Sequence, residues 1–267
     1  MTWIIGTSSF TGYGVMISDV QVTFPNRETR DMIRKAYPLG NHVVGGFSGS
    51  VRIGFTLLQS LADFLRIAPE EEQTLSWDPL FIAREWPSIA RQVFASCPNA
   101  ETRLGSSILL VAISPNEDRG APEFPKVYLI RFKSPNFEAG IVTRAFQALS
   151  IGSGAGAFHY KRALKDLCRI SSGSHKAEIG KQFGWADTLC FSLSRSAIDH
   201  PIAGVSQHFH LLAFNRHDLL DHNSDHRTHS KDLPTPIEHK MPPVATSYDE
   251  FLSMCKCTNA QAAEAIC

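Results

Sequence analysis

The second residue of the chain, Thr2, would become an N-terminal nucleophile if Met1 were removed. An N-terminal threonine carries a hydroxyl group together with an α-amine that can accept the hydroxyl proton. Because the unperturbed pKa of such an amine is about 7.7–8.0, part of it is unprotonated near neutral pH. Many chains begin with Met-Thr, so this residue alone does not establish catalysis.

Two charged residues, Asp19 and Lys35, could support such a nucleophile because each is predicted to lie at a strand end in a β-rich region. A lysine buried beside a hydroxyl group favours loss of the hydroxyl proton, and a carboxylate keeps that lysine charged and oriented. The alternative is an ordinary ion pair on the surface, which contributes little to stability.

Two glycine-rich segments could bind an anion or a cofactor. Gly45–Ser50 (GGFSGS) lies between a predicted strand and a predicted helix, where backbone amides can stabilise an oxyanion. Gly152–Ala157 (GSGAGA) matches the G-x-G-x-x-A pattern of dinucleotide-binding turns. No acidic residue ends a strand about twenty positions later, in Ile170–His175, which counts against nucleotide binding.

A histidine-rich segment after residue 214 is a candidate metal site. His222 and His226 would share one face of a helix and could bind zinc, with aspartates between the histidines. No Cys or Glu completes the usual catalytic pattern, and the polar surroundings are typical of a solvated tail. We therefore predict no metal and no cofactor.

Composition and charge exclude several classes of protein. The 267 residues suffice for one large domain or two small ones, and 26 basic residues balance 26 acidic ones. Nucleic-acid and membrane-surface partners usually require a basic excess, so neither is expected. There is no apolar run of about 18 residues, no signal peptide and no disulfide framework among the six cysteines. These features predict a cytoplasmic protein.

The elements that must position the candidate residues alternate between strands and pairs of helices. Short strands fill the first fifty residues, with a polar connector at Pro25–Arg30. Helices are predicted at Val51–Ile67, Pro79–Ser96, Ala155–Leu167 and Ala186–Ser194, and later strands at Ser106–Ser114, Lys126–Phe132, Gly140–Arg144, Ala148–Ile151 and Val205–Phe214. This order predicts an α+β fold with helices on both sides of antiparallel sheets. We assign residues 1–214 to this domain and 215–267 to a loose polar, His-rich tail with one short helix.

The run from Thr2 to Leu65 resembles the proteasome β-subunit family, and most closely its bacterial HslV-type homologue. The matching residues are Thr2, Ser18–Val22 (SDVQV), Arg34-Lys35, Val44–Ser50 (VGGFSGS) and Gly54–Leu57 (GFTL). A second block, Ser150–Gly154 (SIGSG) with Arg162–Leu164 (RAL), is similar to the family's downstream motif. The resemblance extends over about Thr2–Phe214.

This resemblance implies a four-layer αββα sandwich of the N-terminal-nucleophile hydrolase class. It implies that Thr2 is the nucleophile with its own amine as base, that Lys35 lowers the pKa of the hydroxyl group, and that Asp19 holds Lys35. It further implies an oxyanion site at the Gly49 amide and a hydrogen bond from Ser153 to the terminal amine. The family's distal aspartate falls at Asp199, although Asp199–Ser206 (DHPIAGVS) departs from the family's Asp-x-x-Ser-Gly pattern.

The same matching implies a pocket for the residue that precedes the cut. Its lining residues would be Val22, Thr23, Ile33, Tyr37, Phe47, Ser50, Val51 and Phe55. Phe47 would form the floor, so small or medium apolar side chains should be preferred over charged ones.

The family implies a self-compartmentalising threonine peptidase that acts on unfolded or short polypeptides. Its members form two stacked rings, for which we favour seven subunits each over six. The acidic insert Ala68–Leu75, the tail after Phe214 and the absence of a propeptide before Thr2 favour a variant such as the betaproteobacterial homologue, whose ATPase partner is unknown. A catalytically silent ring protein and a small-amide amidohydrolase are the alternatives.

Overall fold

The computed structural model of this chain describes residues 2–9, 12–40, 42–66, 78–114, 125–174, 184–228 and 237–258. The predicted acidic insert at 68–75 and residues 229–236 and 259–267 of the predicted tail lie outside these ranges. Among the described residues, no helix is both long enough and apolar enough to cross a membrane.

Strands and helices alternate in blocks along the chain. The strands are β1 (Ile4–Ser8), β2 (Gly14–Asp19), β3 (Gln21–Thr23), β4 (Thr29–Asp31), β5 (Ala36–Gly40), β6 (Val43–Gly49), β7 (Ser106–Ile113), β8 (Val127–Lys133), β9 (Gly140–Val142), β10 (Ala148–Ile151), β11 (Phe209–Phe214), β12 (Leu219–Asn223), β13 (His226–Thr228) and β14 (Ile237–His239). The helices are α1 (Val51–Arg66), α2 (Pro79–Ser96), α3 (Asn99–Thr102), α4 (Phe158–Ser174), α5 (Gly184–Asp199) and α6 (Tyr248–Thr258), with a 3₁₀ turn at Ser153–Gly156.

Ten of these strands form two five-stranded antiparallel sheets, and β3-β4 and β13-β14 form two-stranded sheets. The first has the order β10-β1-β2-β11-β12, and the second has the order β5-β6-β7-β8-β9. Side chains alternate between the two faces of a strand, so Ile4 and Ile5 point to opposite sides of the first sheet. Ile4 joins an apolar cluster with Leu109 of the second sheet, whereas Ile5 joins a cluster with helices.

Three apolar clusters bury the faces of the two sheets. One lies between the sheets and includes Ile4, Met16, Val44, Leu109 and Leu212. A second joins the first sheet to α4 and α5 through Trp3, Ile17, Tyr160, Leu189 and Leu211. A third joins the second sheet to α1, α2 and α6 through Phe47, Leu57, Trp86, Phe132 and Phe251. The predicted mixture of helices and antiparallel sheets is confirmed.

Local sequence patterns account for helices α1 and α2. In α1, residues Ile53, Leu57 and Leu61 recur at helical spacing and are buried. Asp78 caps helix α2, since its side chain accepts a hydrogen bond from the Leu80 amide at 2.9 Å, and Pro79 is the first residue of the helix. The predicted bounds of α2 agree with the structure.

The segment after residue 214 differs from the predicted loose tail. Strand β12 pairs with β11 and completes the edge of the first sheet, while its side chains are mostly exposed. The polar composition of β12 is therefore that of an edge strand. Its backbone forms hydrogen bonds with the backbone of β11, while its side chains face water. Helix α6, at the place of the predicted C-terminal helix, buries Phe251 and Cys255 against the second sheet's helices.

Several other predicted boundaries also differ, including the starts of β4 and α4. The predicted connector at Pro25–Arg30 contains the start of β4, which pairs with β3. Helix α4 begins at Phe158 rather than at residue 155, because Ser153–Gly156 forms the 3₁₀ turn beside Thr2. Periodicity does not reveal either feature, since both depend on what the backbone contacts elsewhere.

Candidate active site

The ammonium group of Lys35 lies at the centre of a buried polar cluster. Its Nζ donates to Thr2 Oγ1 at 3.0 Å, to Asp19 Oδ1 and to the backbone carbonyl of Gln21. A protonated lysine has three donors and no acceptor, and here three acceptors surround it. This arrangement stabilises the charged form of Lys35 and leaves the hydroxyl proton of Thr2 directed elsewhere.

Strand ends bring these residues together. Asp19 ends β2, Lys35 directly precedes β5, and Thr2 precedes β1. Asp19 Oδ2 accepts a hydrogen bond from the Trp3 amide at 2.9 Å, and the Asp19 amide donates to the Trp3 carbonyl at 3.1 Å. Asp19 is therefore held on the chain next to Thr2 as well as on Lys35.

The cluster is almost completely withdrawn from solvent. Thr2 is 5% exposed, Lys35 2% and Asp19 0%. Burial lowers the pKa of Lys35, and the nearby Asp19 carboxylate opposes that shift. Burial likewise raises the pKa of Asp19, and Lys35 and the Trp3 amide oppose it. Each partner thus offsets the desolvation of the other, and removal of one leaves an uncompensated buried charge.

The Gly152–Ser153 turn touches the other side of Thr2. The Thr2 backbone nitrogen donates to Ser153 Oγ at 3.1 Å, and the Gly154 amide donates to the Thr2 carbonyl at 3.1 Å. Gly152 has φ of +87°, and a Cβ there would lie 2.1 Å from the Thr2 carbonyl oxygen. Close approach to Thr2 therefore accounts for Gly152, and close approach to the Trp3 ring accounts for Gly154, without a bound nucleotide.

Gly49 lies at the junction between β6 and α1, where the oxyanion site is predicted. Its φ is +106°, and a Cβ would lie 2.2 Å from the Gly105 carbonyl oxygen, so only glycine fits. Gly49 lines two cavities that Thr2 also lines. Next to it, Ser50 Oγ accepts a hydrogen bond from the Ile53 amide at 3.3 Å at the start of α1.

A cavity of about 340 Å³ opens beside Thr2 and Lys35. Five of the eight predicted pocket residues line it, namely Val22, Thr23, Phe47, Ser50 and Val51. The Phe47 ring is 1% exposed and lies against Gly54, where a Cβ would be 2.1 Å from the ring. Phe47 thus closes the bottom of an apolar cavity next to the candidate nucleophile.

The other three predicted pocket residues do not line this cavity. Ile33 is fully buried in the third apolar cluster. Tyr37 and Phe55 pack against one another and line a separate groove of about 670 Å³ together with Tyr248 of α6. Helix α6 covers this side of α1, and α6 belongs to the segment that was predicted to be a tail.

Two residues in and just after the short helix α3 line the cavity without having been predicted. Glu101 and Leu104, which follow α2 along the chain, both face it. Glu101 is 7% exposed, accepts a hydrogen bond from Ser50 Oγ at 2.8 Å and lies 3.3 Å from Arg52 Nε. A helix of four residues is too short to show a periodic pattern, so the sequence does not predict α3.

Asp199 is not brought to Thr2. It ends α5 with its side chain half exposed, 3.5 Å from Arg195 Nε, and it lines neither of the cavities that Thr2 lines. The predicted helix face shared by His222 and His226 is also not formed, because these residues lie in β12 and β13. Within the described part of the chain, no group of three or more His, Cys, Asp or Glu residues could hold a metal ion.

Of three comparisons with known proteins, the comparison with solved structures gives a match. No model of a protein family matches the chain, and no curated protein matches it. Among solved structures, the chain is similar to eukaryotic HslV from Trypanosoma brucei, with 19% sequence identity and a TM-score of 0.49. The likeness covers 83% of this chain and 100% of that one. It assigns no role to any residue.

Proposed function

We propose that this chain is a proteasome-like N-terminal threonine peptidase that cleaves unfolded or short polypeptides. The observation that carries the proposal is the buried hydrogen bond from Lys35 Nζ to Thr2 Oγ1, with Asp19 as the counter-charge of Lys35. The proposal includes the αββα sandwich of that class, which is supported by helices packed outside each of two facing sheets.

Removal of Met1 would turn the Thr2 backbone nitrogen into an amine. In the first step Thr2 Oγ1 attacks the peptide carbonyl carbon, and the hydroxyl proton passes to that amine. The tetrahedral intermediate collapses when the C–N bond breaks and the amine's proton goes to the leaving nitrogen. Water then attacks the resulting ester by the same route, which releases the acid and restores Thr2.

The neighbouring groups have distinct roles in this proposal. Lys35 donates to Thr2 Oγ1 and so stabilises the alkoxide that develops as the proton leaves. Ser153 Oγ lies 3.1 Å from the Thr2 nitrogen and would orient the amine. The Gly49 amide would stabilise the oxyanion, since Gly49 lines two cavities that Thr2 also lines.

The apolar cavity above Phe47 is proposed to take the side chain that precedes the cut. An unpaired charge at its apolar floor would lose hydration without gaining a partner, so small and medium apolar side chains are favoured. Asp199 is not included among the catalytic residues, because it lies exposed at the end of α5.

The family resemblance of the sequence suggests the remaining features of the proposal. These are a homo-oligomer of two stacked rings, with seven subunits per ring favoured over six, a cytoplasmic location and an enclosed chamber that restricts access to unfolded substrates. The betaproteobacterial assignment stays a prediction. The mass of the native assembly measures the ring size directly.

The decisive experiment is the intact mass of the purified chain with and without a peptide epoxyketone. This reagent reacts with the hydroxyl group and the free amine of one N-terminal threonine. We expect a stoichiometric adduct on chains that lack Met1 and none on Thr2→Ala. A chain without Met1 that stays unmodified, while the assembly admits small peptides, would favour a catalytically silent ring protein.

A further inference from the structure

A second cavity, of about 510 Å³, is lined by Thr2 together with Gly152 and Ser153. The 340 Å³ cavity, here called the Phe47 cavity, is lined by Thr2 together with Lys35 and Phe47. The two cavities share Thr2, Thr23, Gly49 and Leu104, so together they form one cleft across the candidate nucleophile. The walls of this second cavity are rich in hydroxyl groups, contributed by Ser48, Ser106, Ser107, Ser134 and Ser153. We call it the serine-lined cavity.

Lys133, the last residue of β8, is the only charged residue among the described residues that line the serine-lined cavity. In the Phe47 cavity, by contrast, Lys35 is paired with Asp19, and Glu101 lies beside Arg52 and Ser50. Lys133 forms no ion pair with any described residue, and its side chain is exposed. The cleft therefore has an uncompensated positive charge on one side of Thr2 only.

The wall around Lys133 is built before any ligand arrives. The Ser106 amide donates to Ser134 Oγ at 2.9 Å, and the Ser134 amide donates to the Ser106 carbonyl at 2.9 Å. These bonds hold the start of β7 against the end of β8. Ser106 is 4% exposed, and its Oγ is buried without a hydrogen-bond partner among the described residues. A buried hydroxyl of this kind is costly unless a ligand or solvent satisfies it.

We propose that the serine-lined cavity binds a carboxylate on the leaving-group side of the scissile bond. The inference rests on the proposed function, because the acyl part of the substrate occupies the Phe47 cavity and the leaving part must extend to the other side of Thr2. An ammonium group beside several hydroxyl donors matches the acceptors of a carboxylate. An apolar group there would gain no contact that offsets the desolvation of Lys133 and the serines.

Two substrate groups share this chemistry. One is an Asp or Glu side chain at the position after the cut, and the other is the carboxylate at the end of a short polypeptide. A peptide with an internal acidic residue and an amidated C-terminus tests the first source. A peptide with Asn in that place and a free C-terminus shortly after the cut tests the second.

The experiment measures the affinity of peptides for the Thr2→Ala variant, which cannot cleave them. Peptides identical before the cut carry Asp or Asn after it, with an amidated or a free C-terminus. We expect at least one carboxylate peptide to bind about five- to tenfold more tightly than the amidated Asn peptide, and this preference should weaken at high ionic strength. Adding Lys133→Gln should abolish the preference, and adding Lys133→Glu should reverse it in favour of a Lys peptide.

Lys126→Glu is the matched control, because Lys126 lies just before the other end of β8 and lines neither cavity. It makes the same charge change and should leave the preference intact. Equal affinity for all the peptides, no binding of any of them, or a preference that Lys133→Gln leaves unchanged would overturn the proposal. The epoxyketone adduct on the wild-type chain judges the threonine mechanism separately, so the two failures are distinguishable.

Discussion

Gly152 lies so close to Thr2 that a Cβ atom there would stand 2.1 Å from the Thr2 carbonyl oxygen. The contact joins the start of the chain to the turn that follows β10. Because β10 pairs with β1, Ile151 lies opposite Ile4, and the next residue must pass beside Thr2. The backbone at Gly152 is therefore constrained twice, by this approach and by a φ of +87° that side chains disfavour.

Gly152→Ala should displace Thr2 relative to Ser153 and lower both stability and reactivity. We expect the free energy of unfolding to fall by about 1–3 kcal/mol, since a strained φ and a backbone clash are combined. Denaturant unfolding and the rate of epoxyketone modification measure the two effects. Gly156→Ala is the matched control, because a Cβ at Gly156 meets nothing within 4 Å. Equal behaviour of the two variants would show that the contact with Thr2 is unimportant.

Asp19→Asn should reduce activity while largely preserving the shape of the cluster. Burial lowers the pKa of Lys35, and Asp19 opposes that shift, so loss of the carboxylate lowers the pKa further and favours neutral lysine. We expect kcat/KM to fall about ten- to a hundredfold, which corresponds to about 1.5–3 kcal/mol for charge-assisted hydrogen bonds. Peptide cleavage is measured across pH.

Asp63→Asn is the control for that variant. Asp63 lies on α1 and accepts a hydrogen bond from Gln59 at 2.8 Å at the surface, away from Lys35. Its activity should match that of the wild-type chain. If Asp19→Asn is folded and as active as this control, Lys35 does not depend on Asp19.

Phe47→Ala should broaden cleavage toward large side chains before the cut. The change removes the closed bottom of the 340 Å³ cavity, so longer side chains gain apolar contact there. Because Phe47 is 1% exposed, the variant should also lose about 3–5 kcal/mol of stability. Phe47→Leu is a milder change that keeps the fold measurable.

Cleavage of a peptide library, analysed by mass spectrometry, tests this prediction. Phe64→Leu serves as the control, since Phe64 is half-buried on α1 against Phe81 and does not line the cavity. An unchanged preference in both Phe47 variants would remove Phe47 from the specificity pocket.

His210 should make the fold less stable in mildly acidic solution. Its ring is 2% exposed and contacts Arg34 and Asp221, and burial lowers its pKa, a shift that the Asp221 hydrogen bond opposes. The folded chain then holds His210 neutral while the unfolded chain takes up a proton below pH about 6.5. Stability must therefore fall as the pH drops below that value, by at most about 1.4 kcal/mol per pH unit from this group. The pKa of Asp221 is lowered, mainly by its hydrogen bond to His210, so its own contribution is lost only in more acidic solution.

Unfolding midpoints between pH 7.5 and pH 5 test this prediction against His210→Asn. We expect the pH dependence to be flatter in that variant than in the wild-type chain. His217→Asn changes an exposed histidine and should leave the dependence unaltered. Parallel curves for the wild-type chain and His210→Asn would mean that His210 has the same pKa in both states.

Much of the architecture could be predicted because burial leaves a local pattern. Apolar spacing in α1, the Asp78–Pro79 start of α2 and the continuous apolar run of β7 each reflect burial by neighbours within a few residues. The candidate site could be predicted for a different reason. Thr2, Asp19 and Lys35 lie within short motifs whose order and spacing resemble a known family.

Tertiary structure alone decided which distant segments meet at Thr2. Sheet order places β10 beside β1 and so brings Ser153 to the Thr2 nitrogen, whereas the end of α5 places Asp199 in solvent. Lys133 and Glu101 reach the cleft from β8 and from the four-residue helix α3. Local composition reports whether a residue is buried, but not against what, because strand pairing and sheet packing depend on residues far apart in the chain.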